Sequence, residues 1–531
     1  MDKFRPRVRR VDAPRFRADS YAAHQPTGTR PRENTVFGHD FAAHDGGAVT
    51  ACILQESFAA GGQVVHEARR QELEGRKVDD VDIGLLPHGE LAAITEARPR
   101  RVGAGQHVHG LFERELSFGA VAILVYVAAD ARRDGWLWAW WRAQLAITVG
   151  LMPMTLALFQ QISLVAPLAN AFAIPIVSLL VAPLALVAAV LPIDAIARLA
   201  HSLVAALMVP LEALGALPGA VWQQHAPPTW TVALAALGVA WLLAPGGVPA
   251  RFAATPLFAP LLLVVPPAPA PGTAWVDILD VGQGLAAAVR TANHLLVYDT
   301  GPTYGPEADA GGRIVVPYLR GVGSRMIDRM VISHLDSDHS GGARSIAAVF
   351  PVGVVSSSFA AAELVPTSAY RPGCVRGERW EWDGVRFEML HPQGERYGAA
   401  QPKTNEMSCV LRVSAAGPSI LLTGDIERAS ERELVAKSAA DLRADVLLVP
   451  HHGSRTSSTE PFIDAVAPQH AIVPVGYRNR FGHPKAEVIE RYRRRGIAVY
   501  RTDTSGAIRV ELGANGVTIR EFRRDEPRYW R

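Results

Sequence analysis

Between Ala143 and Ile193 the chain contains no Asp, Glu, Lys, Arg or His. A bilayer-spanning helix needs about 20 apolar residues, so this stretch alone supplies one or two spans. A soluble helix must keep a polar face, and a charge-free run of this length has none. Further apolar runs at 116–129, 201–222, 230–245 and 252–265 extend the region into a helical transmembrane block over 116–265. Pro153, Pro167, Pro175, Pro183 and Pro192 predict kinks or breaks. These are tolerated where neighbouring helices or a water-filled cavity satisfy the freed backbone groups. Gln160, Gln161 and Asn170 either line a polar path or hydrogen-bond between helices. Trp136, Trp138, Trp140 and Trp141 beside Arg132, Arg133 and Arg142 read as an interfacial belt, with the arginines favouring the cytoplasmic side.

Composition divides the rest of the 531 residues. Residues 1–115 are rich in Arg, His, Gly and Ala and lack sustained apolar periodicity. Their histidines show no recurring ligand spacing, and no signal peptide is visible. They read as a disordered or non-native segment. Residues 266–273 are a stiff, proline-rich linker. Residues 274–522 alternate short strand-like and helical runs, which predicts an α/β unit, and 523–531 form a polar tail. The net charge of +3 does not by itself announce a nucleic-acid partner. Three cysteines, Cys52, Cys374 and Cys409, exclude a disulfide scaffold and a Cys-based zinc finger. Cys374 and Cys409 can pair if their block faces an oxidising compartment; otherwise Cys409 is a buried strand thiol.

The chemistry concentrates in this α/β block. After the apolar run 330–332 come His334, Asp336, Asp338 and His339 within six residues. Side chains of this kind, so crowded, would repel or stay unpaired, and a divalent cation satisfies them all. Alternation is expected to put His334, Asp336 and Asp338 on one side of an extended segment, with His339 swinging in afterwards. Four more clusters end apolar runs: Asp280-Val-Gly-Gln-Gly284, Tyr298-Asp299-Thr-Gly301, Thr423-Gly-Asp425 and His451-His452-Gly-Ser454. Each alone is commonly a turn. Together they place Asp and His at successive strand ends, where active sites of open α/β sheets collect.

The order of these clusters resembles the metallo-β-lactamase superfamily, whose fold is an αβ/βα sandwich holding one or two metal ions. The HxHxDH motif of that superfamily reads His334-Leu-Asp336-Ser-Asp338-His339 here. With the Asp280–Gly284, Thr423–Asp425 and His451–Ser454 clusters, and the helical block before them, 116–522 resembles the DNA-internalisation competence proteins of the ComEC family. The family's N-terminal OB-like domain and most of its early membrane helices have no counterpart in 1–115, so an N-terminally truncated form is expected.

The resemblance implies metal ligands at His334, Asp336, Asp338, His339, Asp425 and His452, with Asp425 bridging. It implies supporting roles for Asp280 and for Asp299, which would orient a ligand. Asn405 stands near where many members have another ligand histidine, so one metal position should be more open. Harder donors move preference from Zn²⁺ toward Mn²⁺ or Mg²⁺, and one or two ions, Mn²⁺ or Zn²⁺, are expected. Asp338, His451 and His483 are the catalytic candidates: two cations would activate water, and a histidine would protonate the leaving oxygen. Arg455, Arg478 and Arg480 suit DNA phosphates, and equally suit a plain surface. The implied protein is a multi-pass inner-membrane component of natural transformation with its C-terminal block in the periplasm. It would hydrolyse DNA phosphodiester bonds while its helices form part of a single-stranded DNA channel. Expected partners are single-stranded or incoming double-stranded DNA, membrane lipid, other uptake proteins and a second copy of the chain. The alternatives are a membrane-anchored hydrolase of another phosphoester, and a non-catalytic or non-functional channel fragment.

Overall fold

The structure, a computed structural model, describes residues 135–525 apart from 192, 245–247, 361–363, 366–369 and 399–402, together with Gly119, Ala122 and Ile123. The expectations for residues 1–115, for most of the run 116–129, for Pro192 and for the tail beyond 525 lie outside the described residues.

Three helices are long and apolar enough to cross a membrane: Trp138–Phe159, Ala166–Val190 and Asp194–Gly215. The charge-free stretch therefore supplies two of them. The third begins at Asp194, ahead of the apolar run expected to open at His201, because Asp194 sits in its first turn, where an anion meets the positive end of the helix dipole. The later runs give only shorter helices, Thr229–Leu242 and Arg251–Leu263. Breaks were expected at the prolines, but Pro153 lies inside the continuous helix Trp136–Phe159, and the span Ala166–Val190 runs on through Pro175 and Pro183. Pro167 opens the helix Ala166–Ile176, and a widened turn, Val177–Val181, lies between Pro175 and Pro183 without ending the rod. Leucine and valine point outward, with Leu179 73% and Val190 79% exposed, as apolar side chains facing lipid would be.

Beyond the extended linker, the described strands form two large sheets. The first has the spatial order Tyr370–Pro372, Val352–Ser357, Ile327–Ile332, Leu295–Tyr298, Ala287–Arg290, Ala274–Ile278, Ile508–Gly513, Gly516–Glu521. The second runs Arg379–Trp382, Val385–His391, Val410–Ser414, Ser419–Leu422, Val446–Leu448, His470–Val473, Ala498–Arg501. Alternation along each strand sorts its side chains into layers. Val331 faces the space between the sheets, with Ile278, Leu296, Phe387, Leu411, Leu422 and Leu448. Its neighbours Met330 and Ile332 face the helices Val316–Gly321 and Ala343–Val349. On the far side, Leu421, Leu447 and Val473 pack under Arg428–Leu442, Glu460–Val466 and Ala486–Arg493 through Leu434, Phe462 and Val488. The result is the four-layer αβ/βα sandwich of a metallo-β-lactamase fold. Strands buried on both faces read as unbroken apolar runs, which is why they were visible in the sequence.

Register positions the site. Leu295–Tyr298 and Ile327–Ile332 are parallel neighbours, and so are Ser419–Leu422 and Val446–Leu448. Parallel neighbours end at the same edge of their sheet, and the two sheets pack face to face, so Asp299, the 334–339 segment, Asp425 and the 451–452 pair gather at one rim.

Candidate metal centre

At that rim Asp338, His339 and His452 form one group able to hold a cation, and His334, His339 and Asp425 form another. His334, His339 and His452 are buried, as is Asp425. His339 Nε2 lies 3.2 Å from Asp425 Oδ1 and 3.3 Å from His452 Nε2. His452 Nε2 is 3.5 Å from both Asp338 Oδ2 and Asp425 Oδ2. Asp336 lies at the open edge, its side chain 44% exposed and 3.7 Å from His334 Nε2.

The segment 334–339 is not extended throughout, as alternation had suggested. The backbone bends at Asp336, whose carbonyl accepts the amides of His339 and Ser340, and one helical turn follows at Ser337–Ser340. That turn carries Asp338 and His339 inward together and leaves Asp336 outside. Two glycines permit the close approach of distant segments. Gly284 sits at φ +140 where a Cβ would lie 2.4 Å from the Asp338 carbonyl, and Gly424 at φ +54 would collide with Ser333. Across the rim, His451 and His452 both adopt left-handed backbone (φ 50 and 54), a strained turn that aims His452 into the cluster and His451 toward its mouth.

The other nitrogen of each imidazole is already occupied. His339 Nδ1 lies 2.7 Å from Asp299, His452 Nδ1 donates to the Pro474 carbonyl at 2.7 Å, and His334 Nδ1 is 3.0 Å from Ser333 Oγ. Each Nε2 lone pair is thereby turned toward the cluster, and that of His334 is buried with no hydrogen-bond partner. Convergent imidazole lone pairs beside carboxylates fit a divalent cation. Protonation directions describe the same frustration. Burial opposes charge on His339, but Asp425 and Asp299 outweigh it and raise its pKa well above the ordinary value. Burial also opposes charge on Asp425, yet His339 and His452 hold its carboxyl well below the usual carboxylate range. Asp338 is lowered to about 2, its burial overcome by the hydrogen bond from His452 and the neighbouring imidazoles. Protons shared by these pairs stand where a cation would provide the positive charge.

The remaining candidates are placed as follows. Asp299 accepts Ser333 N at 2.6 Å as well as holding His339. Asp280 pairs with Arg523 at 2.5 Å. Asn405 opens a short turn beside Thr404, whose hydroxyl donates to Asp336 at 2.9 Å. His451 Nε2 is 3.8 Å from Asp425, and its ring centroid is 6.1 Å from that of His483. Burial and the charges of His452 and His451 push the pKa of His483 down to about 4. Arg455 pairs with Glu487 at 2.7 Å, whereas Arg478 and Arg480 lie over the rings of Tyr477 and Phe481. Cys374 and Cys409 are joined as a disulfide.

Sequence reasoning passed over Ser333, Ser408, Thr404 and Glu427. Ser408 Oγ accepts the Asp425 amide at 3.1 Å and is 3.4 Å from His334 Nδ1; Glu427 is 3.4 Å from His451. Ser333 adjoins the motif and was within reach; a serine just before Cys409 carries no such signal. Ser408 is itself held from behind by buried His391, whose Nδ1 donates to its carbonyl at 2.8 Å. Burial pushes the His391 pKa from 6.5 down to about 4. The unfolded chain therefore binds more protons than the folded chain between these values, and stability is lost as pH falls through that window. The loss should reach about 3 kcal/mol near pH 4, read as the difference in chemical unfolding between wild type and His391→Asn. Parallel pH profiles for the two proteins would refute it.

Residues 114–248 match the family model described as Competence protein, and 279–477 that of the metallo-beta-lactamase superfamily. The chain is 36% identical to Competence protein ComA of Neisseria gonorrhoeae, over 77% of this chain and 57% of the relative. It is 32% identical to YcaI, an uncharacterized protein of Escherichia coli, over 72% of this chain and 49% of the relative. It is also 32% identical to ComE operon protein 3 of Bacillus subtilis, over 44% and 32%. The chain thus spans about half the length of the first two of these curated relatives. Among solved structures it is similar to a putative metal-dependent hydrolase of Parabacteroides distasonis, with 15% identity, 43% of this chain and 94% of the other covered, and a TM-score of 0.30. It is likewise similar to the metallo hydrolase Igni18 of Ignicoccus hospitalis, with 17% identity, 44% and 98% covered, and a TM-score of 0.31.

Proposed function

Because the chain belongs to the ComEC family of competence proteins, we propose that it is a membrane component of DNA uptake whose sandwich domain hydrolyses DNA phosphodiester bonds. The observation that carries this reading is the convergence of three Nε2 lone pairs with Asp338 and Asp425 at one rim, one of those nitrogens unpartnered. Asp338, His339 and His452 would hold one ion, and His334 with Asp425 and the exposed Asp336 a second, more open one. When bound, such ions supply a nucleophile at neutral pH and neutralise charge gathering on phosphate oxygens. Carboxylate-rich donors at the open position favour Mn²⁺ over Zn²⁺ there. Asp299 and the Pro474 carbonyl fix the ring orientations, and Ser408 fixes the backbone of Asp425. His451, one-fifth exposed at the mouth and steadied by Thr456 at 3.0 Å, would pass a proton to the leaving oxygen.

The disulfide Cys374–Cys409 supports an oxidising surrounding, and so an extracytoplasmic position for this domain beside an inner-membrane helical region. The apolar helices would then contribute to a path for the strand that is not degraded. In purified full-length protein with Mn²⁺, labelled DNA should be shortened, and Asp338→Ala should slow this by at least about a hundredfold, since the variant loses a ligand rather than only its support. Equal cleavage by both proteins would remove the nuclease assignment.

A further inference from the structure

Beside the rim, residues 476–485 form a tight loop that the metal centre does not use. Asn479 closes it: its side-chain amide donates to the Gly476 carbonyl at 3.0 Å and to the His483 carbonyl at 2.7 Å, and its oxygen accepts the His483 amide at 3.0 Å. Arg478 is held in left-handed backbone at φ 51, and Asn479 between the two pairs of neighbours turns inward to make these bonds. The loop therefore displays Tyr477, Arg478, Arg480 and Phe481 in water, with Tyr477 69% and Phe481 47% exposed. Each arginine stands over its neighbour's ring, Arg478 at 5.2 Å from the Tyr477 centroid and Arg480 at 4.8 Å from that of Phe481. Neither is paired with a carboxylate among the described residues, unlike Arg455.

The rings also lead somewhere. Phe481 stacks on His483, with centroids 5.9 Å apart and planes within 13°. His483 lies 6.1 Å from His451, and His451 lies 3.8 Å from Asp425. A series of flat faces thus runs from the cation-binding rim out to solvent, flanked by the unpaired guanidinium groups. The rim itself is acidic, with Asp336, Asp338, Asp425 and Glu427, so a polyanion needs those arginines to approach it.

We propose that this loop is a base-stacking platform that selects single-stranded DNA, with Tyr477 and Phe481 receiving unpaired bases and Arg478 and Arg480 holding the phosphates between them. The inference rests on the nuclease reading above and names the strand state its site accepts. Stacking is tolerant of sequence but requires an exposed base face, which a duplex does not offer. Interleaved rings and arginines also combine stacking with cation–π contact and phosphate neutralisation.

The test compares binding of a fluorescent oligothymidylate with that of an abasic phosphodiester strand of equal length, using the full chain without added metal. Wild type should prefer the base-bearing strand by roughly a hundredfold, about tenfold for each ring. Tyr477→Ala together with Phe481→Ala should bind both strands alike, while Tyr477→Trp together with Phe481→Tyr should keep the preference and so show that the loop tolerates substitution. A wild type without preference, or an alanine variant that retains it, overturns the platform. That failure is separable from failure of the nuclease reading: metal-dependent cleavage by wild type would survive the first and be missing in the second.

Discussion

An Asp425→Ala chain is expected to retain less than about a tenth of the wild-type metal content and to lose cleavage by at least about a hundredfold. Asp425 belongs to one of the two candidate cation-binding groups, with His334 and His339, and also reaches His452 of the other. Its oxygens lie 3.2 Å from His339, 3.5 Å from His452 and 3.8 Å from His451, and it is 4% exposed. Replacing it removes the negative charge that both buried imidazoles share. Their Nε2 lone pairs would then face one another across 3.3 Å with only Asp338 nearby. Asp299→Asn is the graded comparison. It keeps every direct ligand but weakens the grip on His339 Nδ1, and should lower metal affinity by about 10–100-fold. Elemental analysis of the purified full chain, with titration of Mn²⁺ and Zn²⁺, reads both. Undiminished metal in Asp425→Ala would mean that the centre lies elsewhere.

Removing the Cys374–Cys409 bridge should destabilise the sandwich by about 4 kcal/mol, because the bond closes a loop of 35 residues. For a unit of this size that corresponds to a fall of roughly 10 °C in thermal midpoint. The effect should extend to the metal centre. Cys409 donates its amide to the Ser333 carbonyl at 3.0 Å and accepts Tyr298 Oη through its carbonyl at 2.5 Å. It also directly follows Ser408, which fixes the Asp425 backbone. Both sulfurs belong to fully buried residues, so Cys374→Ala tests the bridge with little change in shape. Unfolding of the full chain in detergent, wild type against variant, gives the first readout and metal content the second. An unchanged midpoint would show that the bridge contributes nothing to this fold. Thiol labelling of acid-quenched, denatured cells adds the compartment: a pair that reacts only after reduction supports the oxidising side.

The membrane region and the sandwich were legible for different reasons. A charge-free stretch can only be buried or lie in lipid, so the helices declared themselves by composition. Strands such as Ser419–Leu422 and Val446–Leu448 are buried on both faces, and their ends are followed by Asp or His. Strands Ala287–Arg290, Val352–Ser357 and Ile508–Gly513 carry no such signal. The first is alanine-rich, the second is serine- and glycine-bearing, and the third alternates with charged residues that reach solvent at the sheet's margin.

Residue identity and spacing determined the helical block, the α/β block and the candidate ligand types, because these follow from local periodicity and from what crowded carboxylates and imidazoles require. Which groups could share a cation, which nitrogen each histidine presents, the joining of Cys374 to Cys409, and the stacking of Phe481 on His483 were decided only in three dimensions. Those relations join segments as far apart as His339 and His452: parallel register aligns the strand ends within each sheet, and the packing of the two sheets on each other brings the two sets of ends to one edge.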